Sequence, residues 1–293
     1  MKTEEILARP AKGLTREQRE FYFANGYLLL PEFVSEEWLD RLQAVTAQLV
    51  EESRTVTKSG EKFVLETGHS ADSPRLRRLT SPVEHHPAYW EFASNSAITD
   101  LAEDLLGPAV KFHHSKLNFK AEGGGVALQW HQDFPFMPHT NSCVLTIGLY
   151  LADVDESMAP MAVVPGSHKG ELFSMYNDKE QWAGSIQPRD LPRAGIDRAV
   201  PLMGKAGSVT VHNARVVHGS TDNNSTRARP LLLNMFSSAD AVPISENTIP
   251  SRYHGYLVRG RWAKWIELEP GPVMVPPDAA ARKGGIFAAQ QYP

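Results

Sequence analysis

The run Leu128-Gln129-Trp130-His131-Gln132-Asp133-Phe134-Pro135-Phe136-Met137 decides how this chain is read. On an extended strand successive side chains point to opposite faces, so His131 and Asp133, two apart, present an imidazole and a carboxylate to the same side. An imidazole nitrogen and a carboxylate oxygen begin a divalent-metal site, and one further histidine from a distant strand completes a two-histidine, one-carboxylate face. His218 offers that histidine, about 85 residues on, in Val216-Val217-His218-Gly219-Ser220. Eleven histidines in 293 residues make such a pair weak by itself, and a solvated or hydrogen-bonded pair is the plainer reading. Context shifts the balance. Ser220 lies two residues after His218, Arg229 eleven after it, and Val164-Pro165-Gly166-Ser167-His168 between the two halves reads as a tight turn leaving a strand.

Around this run the hydrophobic period is that of strands. Lys111 to Lys120, Val126 to Asp133, Cys143 to Leu151, Met161 to Val164, Ser208 to His212, Val216 to Ser220 and Leu231 to Ser237 are short and separated by Gly, Pro, Asn or Asp. So many short strands predict a mainly β protein, a sandwich or jelly roll. Upstream the period is helical. Thr15 with Gln18 forms a capping box before a helix that ends at Asn25-Gly26, and Tyr27 to Leu30 reads as a strand stopped by Pro31. Ser35 caps a second helix carrying Trp38, Leu42, Val45 and Leu49 to about Glu52, and Ala88 to Leu106 reads as a third, closed by Gly107-Pro108. Residues 53–87 read as a long, partly ordered loop, a kind of segment that is more often functional than filler. The expected organisation is a single unit over 1–293: a helical part at about 14–107, a jelly-roll core at about 110–240 and a C-terminal extension at 241–293 of open role.

Composition excludes several classes. Hydrophobic residues at 42% and charged residues at 22% suit a globular chain able to bury a sizeable core. A net charge of −4 leaves no footprint for nucleic acid or an anionic membrane surface, so neither partner is expected. Cys143 is the single cysteine, which rules out an intramolecular disulfide and a cysteine-built metal cluster. The start, MKTEEILARPAKG, lacks the apolar run of a secretory signal, and no stretch approaches a membrane span; a cytoplasmic protein is expected.

Trp130-His131-Gln132-Asp133, then Val164 to His168, then Val217-His218-Gly219-Ser220 followed by Arg229, resembles the phytanoyl-CoA dioxygenase family of Fe(II)- and 2-oxoglutarate-dependent oxygenases. The opening FANGYLLLPEFVSEEWLDRL, Phe23 to Leu42, is similar too, so the resemblance spans about residues 15 to 240. It implies a double-stranded β-helix, the jelly-roll form also found in cupins. His131, Asp133 and His218 would bind iron and leave positions open for 2-oxoglutarate and O2. Arg229 would hold the far carboxylate of 2-oxoglutarate, because a guanidinium offers a planar bidentate contact that lysine cannot. Ser220 would add a hydroxyl to the same carboxylate. A carboxylate at Asp133, where a related halogenating group has Gly or Ala, favours oxygen insertion, with 2-oxoglutarate converted to succinate and CO2. The implied partner is a small or medium-sized metabolite, and the sequence leaves its identity and the oligomeric state open.

Further residues carry two readings each. Gln129, two before His131, faces the same cavity on a regular strand and either contacts 2-oxoglutarate or makes a structural hydrogen bond; Lys116 and Asn118 share a face and are candidates for the same task. Phe134, Phe136 and Met137 line a substrate pocket or belong to the core. His212 is a candidate for bracing the metal ligands. Arg75, Arg77 and Arg78 either contact an anionic or polar group of the substrate or form a solvated face. His168 reads as a brace of the fold. The competing function is a cupin-like isomerase or hydrolase that does not use O2, against which Arg229 and Ser220 argue, since that pair serves a dicarboxylate.

Overall fold

Strands that alternate apolar and polar residues need something on both faces, and here each face has its own partner. The computed structural model describes residues 1–277 together with 286, 289 and 290. Its twelve strands are β1 (Tyr27–Leu30), β2 (Phe63–Leu65), β3 (Leu76–Thr80), β4 (Val110–Lys120), β5 (Leu128–His131), β6 (Val144–Tyr150), β7 (Ala162–Val163), β8 (Val200–Pro201), β9 (Val209–Asn213), β10 (His218–Ser220), β11 (Arg229–Ser238) and β12 (Leu257–Arg259). The larger sheet runs β1-β9-β6-β11-β4-β3-β2, with β12 also on β4, and the smaller runs β5-β10-β7-β8. Every pairing is antiparallel. The two sheets face each other across a polar interior, the jelly roll expected from the strand pattern.

The outer face of the larger sheet is apolar. Leu145, Ile147 and Leu149 of β6, Val209 and Val211 of β9, and Leu232 and Phe236 of β11 join one buried cluster with Leu42, Leu49, Phe92, Leu101 and Leu105 from the helices. Those helices are α1 (Thr3–Leu7), α2 (Arg16–Asn25), α3 (Glu36–Glu52), α4 (Pro87–Asn95) and α5 (Ala97–Leu106). Thr15 and Gln18 close the expected capping box on α2, and Gly26 takes the left-handed φ of +82° that ends it. A Cβ on Gly26 would lie 2.4 Å from the His168 ring, so the turn and the helix end require glycine there twice over.

Two expected elements need correction. Residues 53–87 are not one loop, because β2 and β3 inside it extend the larger sheet, with Arg78 paired to Asn118 of β4. Ala88 to Leu106 is two helices. Ser96 adopts an extended conformation (φ −111°, ψ −178°), its hydroxyl donates to Phe92 O at 2.7 Å and accepts from Ile98 N, and it thereby ends α4 and caps α5. Ahead of the helical part expected from about residue 14 lies α1, and the extension after 241, whose role the sequence left open, returns β12 to the sheet. The extension's residues 278–285, 287, 288 and 291–293 lie outside the described residues. Among the described residues no helix is long and apolar enough to cross a membrane.

Asp104 ties the N-terminal arm to α5. Its buried carboxylate accepts from the backbone N–H groups of Lys12 at 2.8 Å, Gly13 at 2.8 Å and Leu14 at 2.9 Å. Replacing Asp104 by Ala leaves three backbone donors without that acceptor, and each charge-assisted bond is worth about 1.5–3 kcal/mol. Asp104→Ala is therefore expected to lower unfolding stability by about 3 kcal/mol, read in urea, with Asp104→Asn losing less. A loss in Asp104→Ala below about 1 kcal/mol would show that the arm contributes little to the folded state.

Candidate metal centre

β5 pairs with β10 so that His131 stands opposite His218. The register then slips by one residue, placing Ser220 opposite Leu128. Leu128 and His131, three apart, thus share the interior face, while Gln129 between them is exposed and lies outside the cavity lining. Gln129 does not face the cavity as a regular strand requires. Its backbone serves instead: the carbonyl accepts from His131 Nδ1 at 2.8 Å.

β5 ends at His131, and Asp133 sits beyond it in a helical turn (φ −70°, ψ −30°) leading into Phe134–Phe136. Strand alternation is therefore not what brings Asp133 beside His131. The turn does so, and Gln132, fully buried between the two, anchors it. Its side-chain amide donates to Glu171 O at 3.0 Å and Arg215 O at 2.8 Å and accepts from Phe173 N at 3.0 Å. The partners of Gln132 come from distant loops, so nothing near it in sequence marks its role.

Donor atoms of His131, Asp133 and His218 all lie within 4.8 Å of one another, and all three residues are buried. His131 Nε2 is 3.8 Å and His218 Nε2 4.0 Å from Asp133 Oδ1. His218 Nδ1 donates to Val216 O at 2.9 Å, as His131 Nδ1 does to Gln129 O. Both rings are thus fixed in the tautomer whose Nε2 lone pair faces the carboxylate, the arrangement that orients metal-binding imidazoles. Asp133 Oδ2 accepts from Thr146 Oγ1 and His212 Nε2, each at 3.3 Å, which leaves Oδ1 toward the histidines. His212 braces the cluster, as expected, from β9.

The protonation states suit a metal. Burial pushes the His131 pKa down to about 4, with Asp133 opposing, and burial together with the neighbouring His131 and His212 holds His218 well below its usual value. Burial would raise the Asp133 pKa, but the field of Lys116 and the His212 hydrogen bond hold the carboxyl well below its ordinary range. Two neutral imidazoles and a carboxylate are what a divalent ion requires of its ligands.

A small interior cavity runs from this cluster to Ser220 and Arg229 and is also lined by Lys116, Asn118 and Leu231. Arg229 is buried, and its Nε and Nη1 have no hydrogen-bond partner among the described residues. The Tyr150 hydroxyl contacts the guanidinium and donates to Leu202 O at 2.6 Å. Lys120, across from Arg229 on β4, donates to Ser220 Oγ at 2.7 Å.

A larger cavity of ≈1010 Å³ opens on the other side of Asp133, bounded by Lys62, His85, His114, Phe136, Met137 and Arg252. Phe136 and Met137 thus line it. Phe134 does not, being packed with Val144, Ala214 and Met235 in a separate buried cluster. Of the three basic residues before β4, Arg78 reaches both cavities, Arg77 pairs with Glu66 at 2.7 Å, and Arg75 stands 3.4 Å from Glu122. His168 braces the turn, with Nε2 3.3 Å from Phe23 O.

A probable alpha-ketoglutarate-dependent hypophosphite dioxygenase of Stutzerimonas stutzeri is 30% identical over 285 residues, spanning 94% of this chain and 96% of that protein. An L-proline trans-4-hydroxylase of Streptomyces griseoviridis is 27% identical over 254 residues, 79% of this chain and 90% of that one. In fold the chain is similar to EctD from S. alaskensis, solved with bound Fe, with a TM-score of 0.69 over 91% of this chain and 90% of that one at 20% identity. Residues 22–231 match phytanoyl-CoA dioxygenase (PhyH), and with that match across most of its length the chain belongs to the phytanoyl-CoA dioxygenase family.

Proposed function

We propose that this protein is a non-haem Fe(II)- and 2-oxoglutarate-dependent dioxygenase that hydroxylates a small or medium-sized molecule, releasing succinate and CO2. One observation carries the reading: a buried His131, Asp133 and His218 cluster shares a cavity with a buried guanidinium, Arg229, that still has donors to spend. A buried donor without a partner is costly, and a carboxylate is the ligand a guanidinium matches best. An isomerase or hydrolase built on the same cluster gives Arg229 no such occupant.

In this reading His131 Nε2, His218 Nε2 and Asp133 Oδ1 hold the iron, as a two-histidine, one-carboxylate face does. Iron loaded with 2-oxoglutarate supplies the oxidative chemistry, coupling decarboxylation of the cosubstrate to oxygen transfer from O2. The protein's task is placement. Thr146 and His212 keep Asp133 from rotating, Gln132 fixes the turn that carries it, and the carbonyls of Gln129 and Val216 keep both imidazoles pointing inward. Arg229 grips the far carboxylate of 2-oxoglutarate, with Ser220 beside it, and the apolar side chains Leu128, Met161, Leu231 and Leu233 keep water from that space. A cytoplasmic setting fits the lone thiol Cys143, whose pKa burial pushes up to about 11, away from reactivity.

Anaerobic addition of Fe(II) and 2-oxoglutarate is expected to produce a weak visible charge-transfer band that is absent in His131→Ala and Asp133→Ala. No band in the unaltered protein, and no succinate in air, would overturn the reading. Arg229→Ala is expected to weaken 2-oxoglutarate about 100-fold while leaving iron affinity nearly unchanged. Equal losses of both would remove Arg229 from the cosubstrate site. Gln132→Leu, which contacts neither ligand, is expected to lower iron affinity about tenfold, measured by competition with a chelator. Unchanged affinity would mean the turn is held by other contacts.

A further inference from the structure

Ser220 and Arg229 line the small cavity, and beside them stands a cation that does not, Lys120. Lys120 is the partner of Arg229 in the β4–β11 pairing, and the two residues are 6% and 5% exposed. Like charges opposite one another on a sheet repel, and burial removes the water that would screen them. Hydrogen bonds hold the ammonium in place: Lys120 Nζ donates to Ser220 Oγ at 2.7 Å and to Thr221 O.

The bond to Ser220 has a direction. A hydroxyl has one hydrogen to donate and two lone pairs that accept. Ser220 Oγ receives the Lys120 ammonium on one lone pair, and an ammonium has no lone pair with which to take the Ser220 hydrogen in return. That hydrogen is left for the cavity that Ser220 lines together with Arg229. A neutral amine at position 120 has a lone pair, so the hydroxyl is then able to turn away from the cavity. The charge on Lys120 thus governs where Ser220 points.

That charge is poised to change. Burial, with the Arg229 guanidinium alongside, pushes the Lys120 pKa down to about 7, against the pull of Asp222 from the segment after β10. On the same side of the molecule Glu122 stands 3.4 Å from Arg75, and burial pushes up the pKa of Tyr150, which contacts Arg229. Lys116, farther back on β4, also lines the small cavity and is shifted down by burial with Asp133 opposing, so its titration has to be separated from that of Lys120. A carboxylate set on Arg229 and Ser220 offsets the like charge beside Lys120, and a proton held more tightly in the bound state is taken up on binding.

Resting on the oxygenase reading, we infer that Lys120 is a positioning residue of the cosubstrate site: its ammonium turns the Ser220 hydrogen toward the far carboxylate of 2-oxoglutarate, and binding of that carboxylate draws a proton from solvent onto Nζ. Affinity for 2-oxoglutarate is then level below about pH 7 and falls as pH rises above it, by up to about tenfold per unit.

The test uses the anaerobic protein loaded with Fe(II), in which metal binding takes His131, Asp133 and His218 out of the titration, and 2-oxoglutarate as the probe. Without a visible band on adding 2-oxoglutarate the oxygenase reading fails. With it, calorimetric titration at about pH 7.5 in phosphate and in Tris, whose ionisation enthalpies differ, counts the protons taken up and reports on this inference alone. The unaltered protein is expected to take up about half a proton or more, and Lys120→Met close to none. Between about pH 6.5 and 8.5 affinity is expected to fall about tenfold in the unaltered protein and less than about twofold in Lys120→Met. Lys120→Arg, charged throughout, is expected to bind 2-oxoglutarate without pH dependence. Because the effect passes through Ser220, Lys120→Met is expected to cost less affinity in Ser220→Ala protein than it does alone. Lys120→Gln provides the proton count if the methionine variant does not fold. Uptake unchanged in Lys120→Met would move the titration to Lys116 and overturn the inference. No uptake by the unaltered protein, costs of the Lys120 and Ser220 substitutions that simply add, or iron affinity falling in step with 2-oxoglutarate affinity would each overturn it as well.

Discussion

A buried carboxylate organises this molecule. Asp133, 3% exposed, lies between two β-sheets, where an ionised acid is stable only if its surroundings provide charge and hydrogen bonds. Lys116 provides the charge from β4, His212 and Thr146 the hydrogen bonds from β9 and β6, and His131 and His218 stand on its remaining side from β5 and β10. Five strands from both sheets therefore converge on one side chain. The two sheets need to be registered correctly for any of these contacts to form, which ties the fold to the site.

That convergence explains why β4, β6 and β9 are divided into a polar and an apolar face. Thr146, His212 and Lys116 face inward, while their neighbours Leu145, Ile147, Val211 and Leu117 face the helices. A polar interior contributes little hydrophobic stabilisation, so burial on the helical side supplies it. Leu42, Leu49, Phe92, Leu101 and Leu105 do this from α3, α4 and α5. The helices are thus the second half of a core whose first half has been given over to chemistry.

Much of this could be read in the sequence because it depends on local pattern. The strand at Tyr27–Leu30, the capping box at Thr15 and the division between helical and alternating halves follow from periodicity and capping, and the His131, Asp133 and His218 set follows from residue type and order. What the pattern missed depends on partners far along the chain. Gln129 points outward because β5 slips register against β10, and a slip is a property of the pair. β2 and β3 escape notice because Phe63–Leu65 is three residues long and Leu76–Thr80 carries two arginines, yet pairing of β3 with β4, and of β2 with β3, makes both strands. Ser96 splits a helix because it satisfies two backbones at once, a choice that helical periodicity across the break does not reveal.

The most consequential irregularity is in β4. Phe112 and Leu117 both pack against the helices although they are five residues apart, an odd spacing that a regular strand forbids. β11 resolves it: Phe236 opposes Phe112 and Met235 opposes His114, so His113 has no opposite number and the strand bulges there. Every residue beyond the bulge changes face. Without that extra residue, His114, Lys116 and Asn118 would point into the helical layer and Leu117 into the polar interior. The bulge therefore delivers Lys116 to Asp133 and sets its ammonium beside the His131, Asp133 and His218 cluster. A single inserted residue, rather than any motif, gives the interior of this sandwich its sign.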